Sequence, residues 1–290
     1  MSLVRVMGAR AAELLGSPCA ALVLRDAITA EQEQRLVAEL DPVLRRRRYA
    51  RDHWDAVITG YKEVERAHWA DAENEATVVD IRRRISGLVA SGATALTTKR
   101  QEPHPPGDPA EALPLSWLPV HVIDLAADGF ITPHVDSVKF SGDLVCGLSL
   151  LSPAVMTLRP DPDVDRDEKL HSSSLAGGLH ADRTTGMSGG VGGMAAAAAA
   201  AGESSDDEHG VRMYLPPRSL YVLSGNARYR FTHSVDSGEP ISGVVPADPG
   251  HGGAPTGAVR DDHLFAVFGV AFQRQRRISL IFRDAKAGEF

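Results

Sequence analysis

The chain has 290 residues, of which 43% are hydrophobic and 24% charged, and it carries a net charge of −7. That size and composition suit one sizeable buried core with a helical extension. The acidic balance argues against nonspecific nucleic-acid binding by the whole chain, no apolar run reaches the roughly 18 residues of a bilayer span, and two cysteines, Cys19 and Cys146, are too few for a disulfide framework and suggest a reducing compartment.

Residues 1–20 open with "MSLVRVMGARAA", which holds Arg5 and Arg10 and no acid before Glu13. An arginine-bearing, acid-poor start fits an organellar transit segment, and it fits an ordinary cytosolic N-terminus equally well. Thr29 and Gln32 have capping-box spacing, and Leu36, Val37, Leu40, Val43 and Leu44 follow at helical intervals, which predicts a helix over 30–46. Its end runs into Arg45–Arg48, where cations complement the helix dipole. That run reads either as a solvated helix end or as a contact for an anionic partner. Val78, Ile81, Ile85, Leu88 and Val89 predict a second helix over 73–90. Residues 21–116 are thus expected to form an N-terminal helical region that closes in the Pro-rich linker 103–116.

From residue 117 to 290 the pattern changes to short apolar, β-branched runs bounded by Gly, Pro and Asp. They are "VHVIDL", "FITPHVDSV", "LVCGLSLL", "VMTLRP", "VRMYL", "SLYVLSG", "YRFTHSV", "FAVFGVAF" and "RRISLIFR". Such spacing predicts an all-β sandwich or barrel rather than βαβ units. Cys146 falls within one of these runs and reads as a small buried residue. Two low-complexity stretches, about 161–210 with its alanine run and about 238–262, are expected to be disordered insertions.

Three His-x-Asp triplets occur: His53-x-Asp55, His134-x-Asp136 and His180-x-Asp182. Chance supplies roughly one in a chain of this composition, so context has to choose. The third lies in the low-complexity insertion, and the first in expected helix or loop, where residues two apart diverge. His134 and Asp136 fall on an expected strand, where i and i+2 share a face. His233, on a later strand, can complete a facial two-histidine, one-carboxylate set suited to Fe(II) oxygen chemistry; the same three ligands could hold hydrolytic zinc, and His233 could be an ordinary core histidine.

The last strand bears on that choice. Alternation places Arg277, Ser279, Ile281 and Arg283 on one face, with Ile278, Leu280 and Phe282 on the other. Buried arginines need anions, and paired guanidinium forks suit a small dicarboxylate. Tyr221 could add a hydroxyl to one carboxylate, or serve as a core aromatic.

Taken together, "RRRRYARDHWDAVITGY", "VHVIDL", "PHVDSVKF", "GLSLLSP", "RSLYVLSGNARYRFTH" and "RRISLIFR" resemble the AlkB-like Fe(II)/2-oxoglutarate dioxygenases. Within that family they look most like the mitochondrial branch of the seventh mammalian homologue. The resemblance covers most of 22–160 and 211–285. It implies a mainly β fold with flanking helices (α+β), a double-stranded β-helix or jelly roll. It implies iron held by His134, Asp136 and His233, and 2-oxoglutarate held by Tyr221, Arg277 and Arg283, with no catalytic residue beyond the metal site. It implies O2 as co-reactant, a mitochondrial matrix location (the alternative is cytoplasmic) and a link to programmed necrosis and fatty-acid metabolism. The chain is expected to be a monomer. Its substrate would be a protein or metabolite; the alternatives are a methylated RNA base, or no turnover at all in an iron- and 2-oxoglutarate-sensing regulator. One departure is plain. Nucleic-acid-repairing members carry Asn and Tyr eleven and nine residues before the metal histidine, where this chain has Ile123 and Leu125. Tyr221 is the expected replacement. Aromatic residues are only 6% of the chain, and no base-stacking platform stands out besides Trp54 and Trp69.

Overall fold

The computed structural model describes residues 3–51, 57–94, 115–139, 141–162, 210–236, 272 and 274–286. In chain order the strands are β1 (Val4–Met7), β2 (Ala21–Leu24), β3 (Ile58–Arg66), β4 (Val120–His134), β5 (Ser141–Leu150), β6 (Ala154–Pro160), β7 (Gly210–Leu215), β8 (Leu220–Leu223), β9 (Phe231–Val235) and β10 (Arg277–Ala285). The helices are α1 (Ala9–Leu15), α2 (Ala30–Leu44), α3 (Ala72–Ala90) and the short α4 (Gly225–Tyr229). Both insertions lie for the most part outside the described residues, as do His53, Asp55, His180, Asp182 and most of "FAVFGVAF".

α2 starts where the capping box predicts. Thr29 Oγ1 accepts from the Gln32 amide at 3.2 Å, and Gln32 Oε1 accepts from the Thr29 amide at 2.8 Å. α3 is capped by Asp71, whose side chain accepts from the amides of Glu73 and Asn74. Their leucine and isoleucine stripes are fully buried at Leu36, Leu40, Leu44, Ile81 and Ile85. These stripes pack on Val120, Val122, Leu148, Ile278, Leu280 and Phe282, which line the outer face of a sheet.

Among the described residues all pairings are antiparallel, and the strand order is β1-β7-β6-β9-β4-β10-β5-β8-β2, with β3 also on β4. β4 makes the roll. Its first half pairs with β10 through Leu125, and its far end pairs with β9 at Ile131 and His134. One long strand therefore joins the two halves of a single ten-stranded sheet. Where it crosses, the carbonyls of Ala126, Ala127 and Gly129 accept from the buried Arg274 guanidinium, which also binds the Asp236 carbonyl. Backbone acceptors that neither ladder uses are thereby satisfied. Arg274 is held down to about 10 by its burial, with Arg277 adding repulsion. Gly129 has to be glycine at this crossing, because a Cβ would strike the carbonyls of Gly60 and Thr59.

Inside the roll lies a second core of Ile123, Leu125, Val145, Met156, Leu158, Met213, Leu223, Phe231 and Ile281. The alternation read on the last strand holds, with Ile278, Leu280 and Phe282 facing the helices and Ile281 facing inward. The architecture is the expected mainly β jelly roll with helices outside. Residues 4–7, 21–24 and 58–66 add strands to the same sheet, with Val4 opposite Met213 and Val23 opposite Tyr221. Among the described residues, no helix is long and apolar enough to cross a membrane.

Candidate metal and cosubstrate site

His134 closes β4 and stands opposite His233 of β9 in the ladder. The two rings lie 4.2 Å apart at their centroids, inclined by 51°. Asp136 is not on the strand. It sits in the loop just after it, so the shared-face reasoning for His134-x-Asp136 is corrected: the chain turns after His134 and brings the carboxylate back. Asp136 Oδ2 lies 3.7 Å from His233 Nε2, and one ligand atom from each of the three residues lies within 4.8 Å of the others.

Orientation comes from the backbone. His134 Nδ1 is 2.9 Å from the Thr132 carbonyl, which can only accept, so Nδ1 carries the proton and Nε2 keeps its lone pair. Burial holds His233 down to about 4, and neighbouring His134 reinforces this, so its ring is neutral at pH 7. Burial opposes ionisation of Asp136, but His233, His134, Arg283 and Arg228 outweigh it and keep the carboxyl below its ordinary range. Two imidazoles and one carboxylate could hold a divalent cation and leave positions open.

The loop is clamped by a residue that sequence reasoning did not single out. Arg228, on α4, donates to the carbonyls of Asp136 (3.0 Å) and Ser137 (3.2 Å) and to Ser141 Oγ (2.8 Å). Neighbouring Tyr229 donates to Asp143 Oδ1 at 2.7 Å. The stretch "GNARY" carries no signal of this role, because the carbonyls it grips lie some ninety residues away.

The cleft beside these three residues is walled by Tyr221, Arg277, Ser279 and Arg283, with Ile58, Ile123, Ile131, Met156, Val235 and Ile281 as its apolar lining. Arg277 is 2% exposed and donates to Ser149 Oγ at 2.8 Å. Burial pushes its pKa below the usual arginine range. Arg277 Nε, Ser279 Oγ and Arg283 Nε are buried without a hydrogen-bond partner among the described residues. Three unanswered polar groups on one wall, two of them cationic, fit an anionic ligand. Tyr221 lies over Gly147, where any Cβ would collide with its ring and hydroxyl. Ile123, at one of the two departures from the repair enzymes, lines this cleft, whereas Leu125 is buried in the inner core.

This double-stranded β-helix, with its imidazole–carboxylate cluster facing buried arginines across one cleft, defines the class: a 2-oxoglutarate-dependent dioxygenase. No family model matches the sequence. The alpha-ketoglutarate-dependent dioxygenase alkB homolog 7, mitochondrial, of Bos taurus is 33% identical over 230 residues, covering 79% of this chain and 73% of that protein. Its Mus musculus counterpart is 34% identical over 208 residues, covering 72% of this chain and 63% of the mouse protein. The chain belongs to the alkB homolog 7 family of 2-oxoglutarate-dependent dioxygenases. Both relatives are named as mitochondrial. Among solved structures, that of OsALKBH1 aligns with a TM-score of 0.46 at 14% identity, covering 91% of this chain and 96% of the other. A Pseudomonas putida prolyl-4-hydroxylase aligns at 0.43 and 10% identity, covering 97% and 99%.

Proposed function

We propose that His134, Asp136 and His233 hold Fe(II), that Arg277, Arg283 and Tyr221 hold 2-oxoglutarate, and that the enzyme oxidises a C–H bond of a protein or metabolite in mitochondria. The observation that carries this reading is the meeting of two independent features in one cleft. A trio of candidate ligands spans no more than 4.8 Å, and three buried polar atoms beside it have no partner among the described residues.

The roles divide by position. Arg277, with Tyr221 and Ser149 around it, pairs with one carboxylate of the diacid in the deep part of the cleft. Arg283, whose charge bears on Asp136, faces the end nearer the ligand trio. When bound, the ion supplies the redox chemistry by which O2 and 2-oxoglutarate give succinate, CO2 and one oxygen atom for the substrate. The chain itself orients the diacid, holds the His233 ring neutral and keeps Asp136 ionised. The apolar lining from Ile58, Ile131, Met156 and Val235 limits water around the reacting atoms and suits an aliphatic group better than a charged one.

Anaerobic Fe(II) titration, with and without 2-oxoglutarate, tests the assignment. The expected result is a visible charge-transfer band that needs both additions and vanishes in His233→Ala. A band of equal strength in that variant would sink the ligand set. Salt-sensitive binding of methylated RNA, with turnover of its bases, would replace the protein-or-metabolite substrate with a nucleic acid.

A further inference from the structure

Arg283 is not alone on its side of the cleft. Its Nη2 lies 3.4 Å from His121 Nδ1, and the other ring nitrogen of His121 lies 2.8 Å from Glu63 Oε2. A guanidinium can only donate and a carboxylate here accepts, so the tautomer is fixed: Nδ1 accepts from Arg283, and Nε2–H donates to Glu63. The three residues come from three adjacent strands. His121 of β4 is opposite Glu65 of β3 and Ile281 of β10, which places Glu63 and Arg283 at the diagonal positions of the same inward face.

From this geometry we infer that Glu63 and His121 are positioning residues for 2-oxoglutarate, acting through Arg283. The inference rests on the proposed cosubstrate site and adds to it two residues that form no part of the ligand trio or the arginine pair. Two physical reasons support it. The first is orientation. Arg283 is a long side chain with its Nε proton unanswered, and an acceptor that takes one Nη2 proton fixes the guanidinium plane, so that the remaining donors face the cleft.

The second reason is charge. In the filled site, Arg277 and Arg283 balance the two carboxylates of the diacid, and Asp136 cancels one charge of a divalent ion. One positive charge is left over. Arg228 adds to the positive side, because the carboxylate that acts on it most is Asp136, already counted, ahead of Asp284. Glu63, relayed through His121, supplies a negative charge at the edge of the cleft. A pure stabilising role fits poorly, since the Glu63 side chain is 41% exposed and a half-exposed pair contributes little to folding.

The test uses the full chain, anaerobic and loaded with Fe(II), with 2-oxoglutarate binding measured by isothermal titration. Glu63→Gln and His121→Phe are each expected to raise the 2-oxoglutarate Kd about tenfold, the low end of what such supporting partners are worth. His121→Gln keeps an acceptor toward Arg283 and should stay within about threefold of the wild type. Fe(II) affinity and the melting temperature of the metal-free protein should hardly move. A wild type that binds 2-oxoglutarate while Glu63→Gln and His121→Phe bind it equally well overturns this inference alone. So does a uniform fall of both ligands and of the melting temperature, which marks a structural role. A wild type that binds no 2-oxoglutarate overturns the cosubstrate site first, and this inference with it.

Discussion

His134 and His233 are direct partners across the β4–β9 ladder, and their rings meet at 4.2 Å between centroids. Ninety-nine residues of sequence separate them, so the ladder register alone brings them together. Replacing His233 by Ala removes one proposed ligand atom and leaves the ladder backbone intact. The expected Fe(II) Kd rises by more than the roughly 10–100-fold that outer partners of a metal site are worth. The metal-free protein should melt close to wild type, because the lost ring borders the cleft. Anaerobic Fe(II) titration and calorimetry check the two halves separately.

Arg277 invites a swap of function for stability. Its guanidinium is buried with Nε unanswered and one bond to Ser149, a costly state without an anion. Arg277→Met keeps the volume and drops the charge. The metal-free variant should be as stable as the wild type or more so, while the rise in melting temperature on adding 2-oxoglutarate disappears. A destabilised variant that still responds to 2-oxoglutarate contradicts the assigned role.

Arg228 shapes the carboxylate arm of the trio through the backbone. Arg228→Lys keeps a positive charge but cannot bridge the Asp136 and Ser137 carbonyls and Ser141 Oγ together. Fe(II) affinity is expected to fall by about tenfold or more, with far-UV dichroism unchanged. Unchanged affinity would mean that the loop holds its shape without the clamp.

Sequence reading reached some parts of this fold and not others, for identifiable reasons. β10 was legible because a period of two separates Arg277, Ser279 and Arg283 from Ile278, Leu280 and Phe282 without exception. α2 was legible from its capping box and leucine spacing. β3, "ITGYKEVER", was not, since it is half polar and interrupted by Gly60 at a positive φ. Asp136 was expected on the strand and lies in the loop after it, because a strand end and the loop that follows look alike in sequence. Arg228, Arg274, Glu63 and His121 were invisible as a group. Their partners are backbone carbonyls or residues on other strands, and no local pattern encodes a long-range register.

Arg274 offers a test of the roll itself. Its guanidinium ties together carbonyls at the point where β4 passes from its pairing with β10 to its pairing with β9, and it reaches the end of β9 at Asp236. Arg274→Ala strands those buried acceptors, at a cost of about 1–3 kcal/mol for each one that water cannot reach. The urea midpoint should fall clearly, and Fe(II) affinity should fall with it, because His134 and His233 lie just beyond the crossing. Loss of stability with full metal affinity would show that the crossing does not set the β4–β9 register.

The long low-complexity stretch gives a prediction of the opposite sign. β6 and β7 are ladder neighbours with Leu158 opposite Val211, so the chain ends flanking residues 163–209 already stand side by side. A short turn can join them without moving either strand. Loop closure costs about 0.6 kcal/mol for each doubling of length, so shortening a connection of this size to a few residues should add up to about 2 kcal/mol of stability. The expected variant, with 163–208 replaced by a Gly-rich turn, melts at or above the wild-type temperature and binds Fe(II) and 2-oxoglutarate unchanged. A sharp drop in melting temperature would show that the stretch packs on the roll, against its reading as a disordered insertion. Unchanged stability and ligand binding with lost turnover of a true substrate would instead assign the stretch to substrate capture.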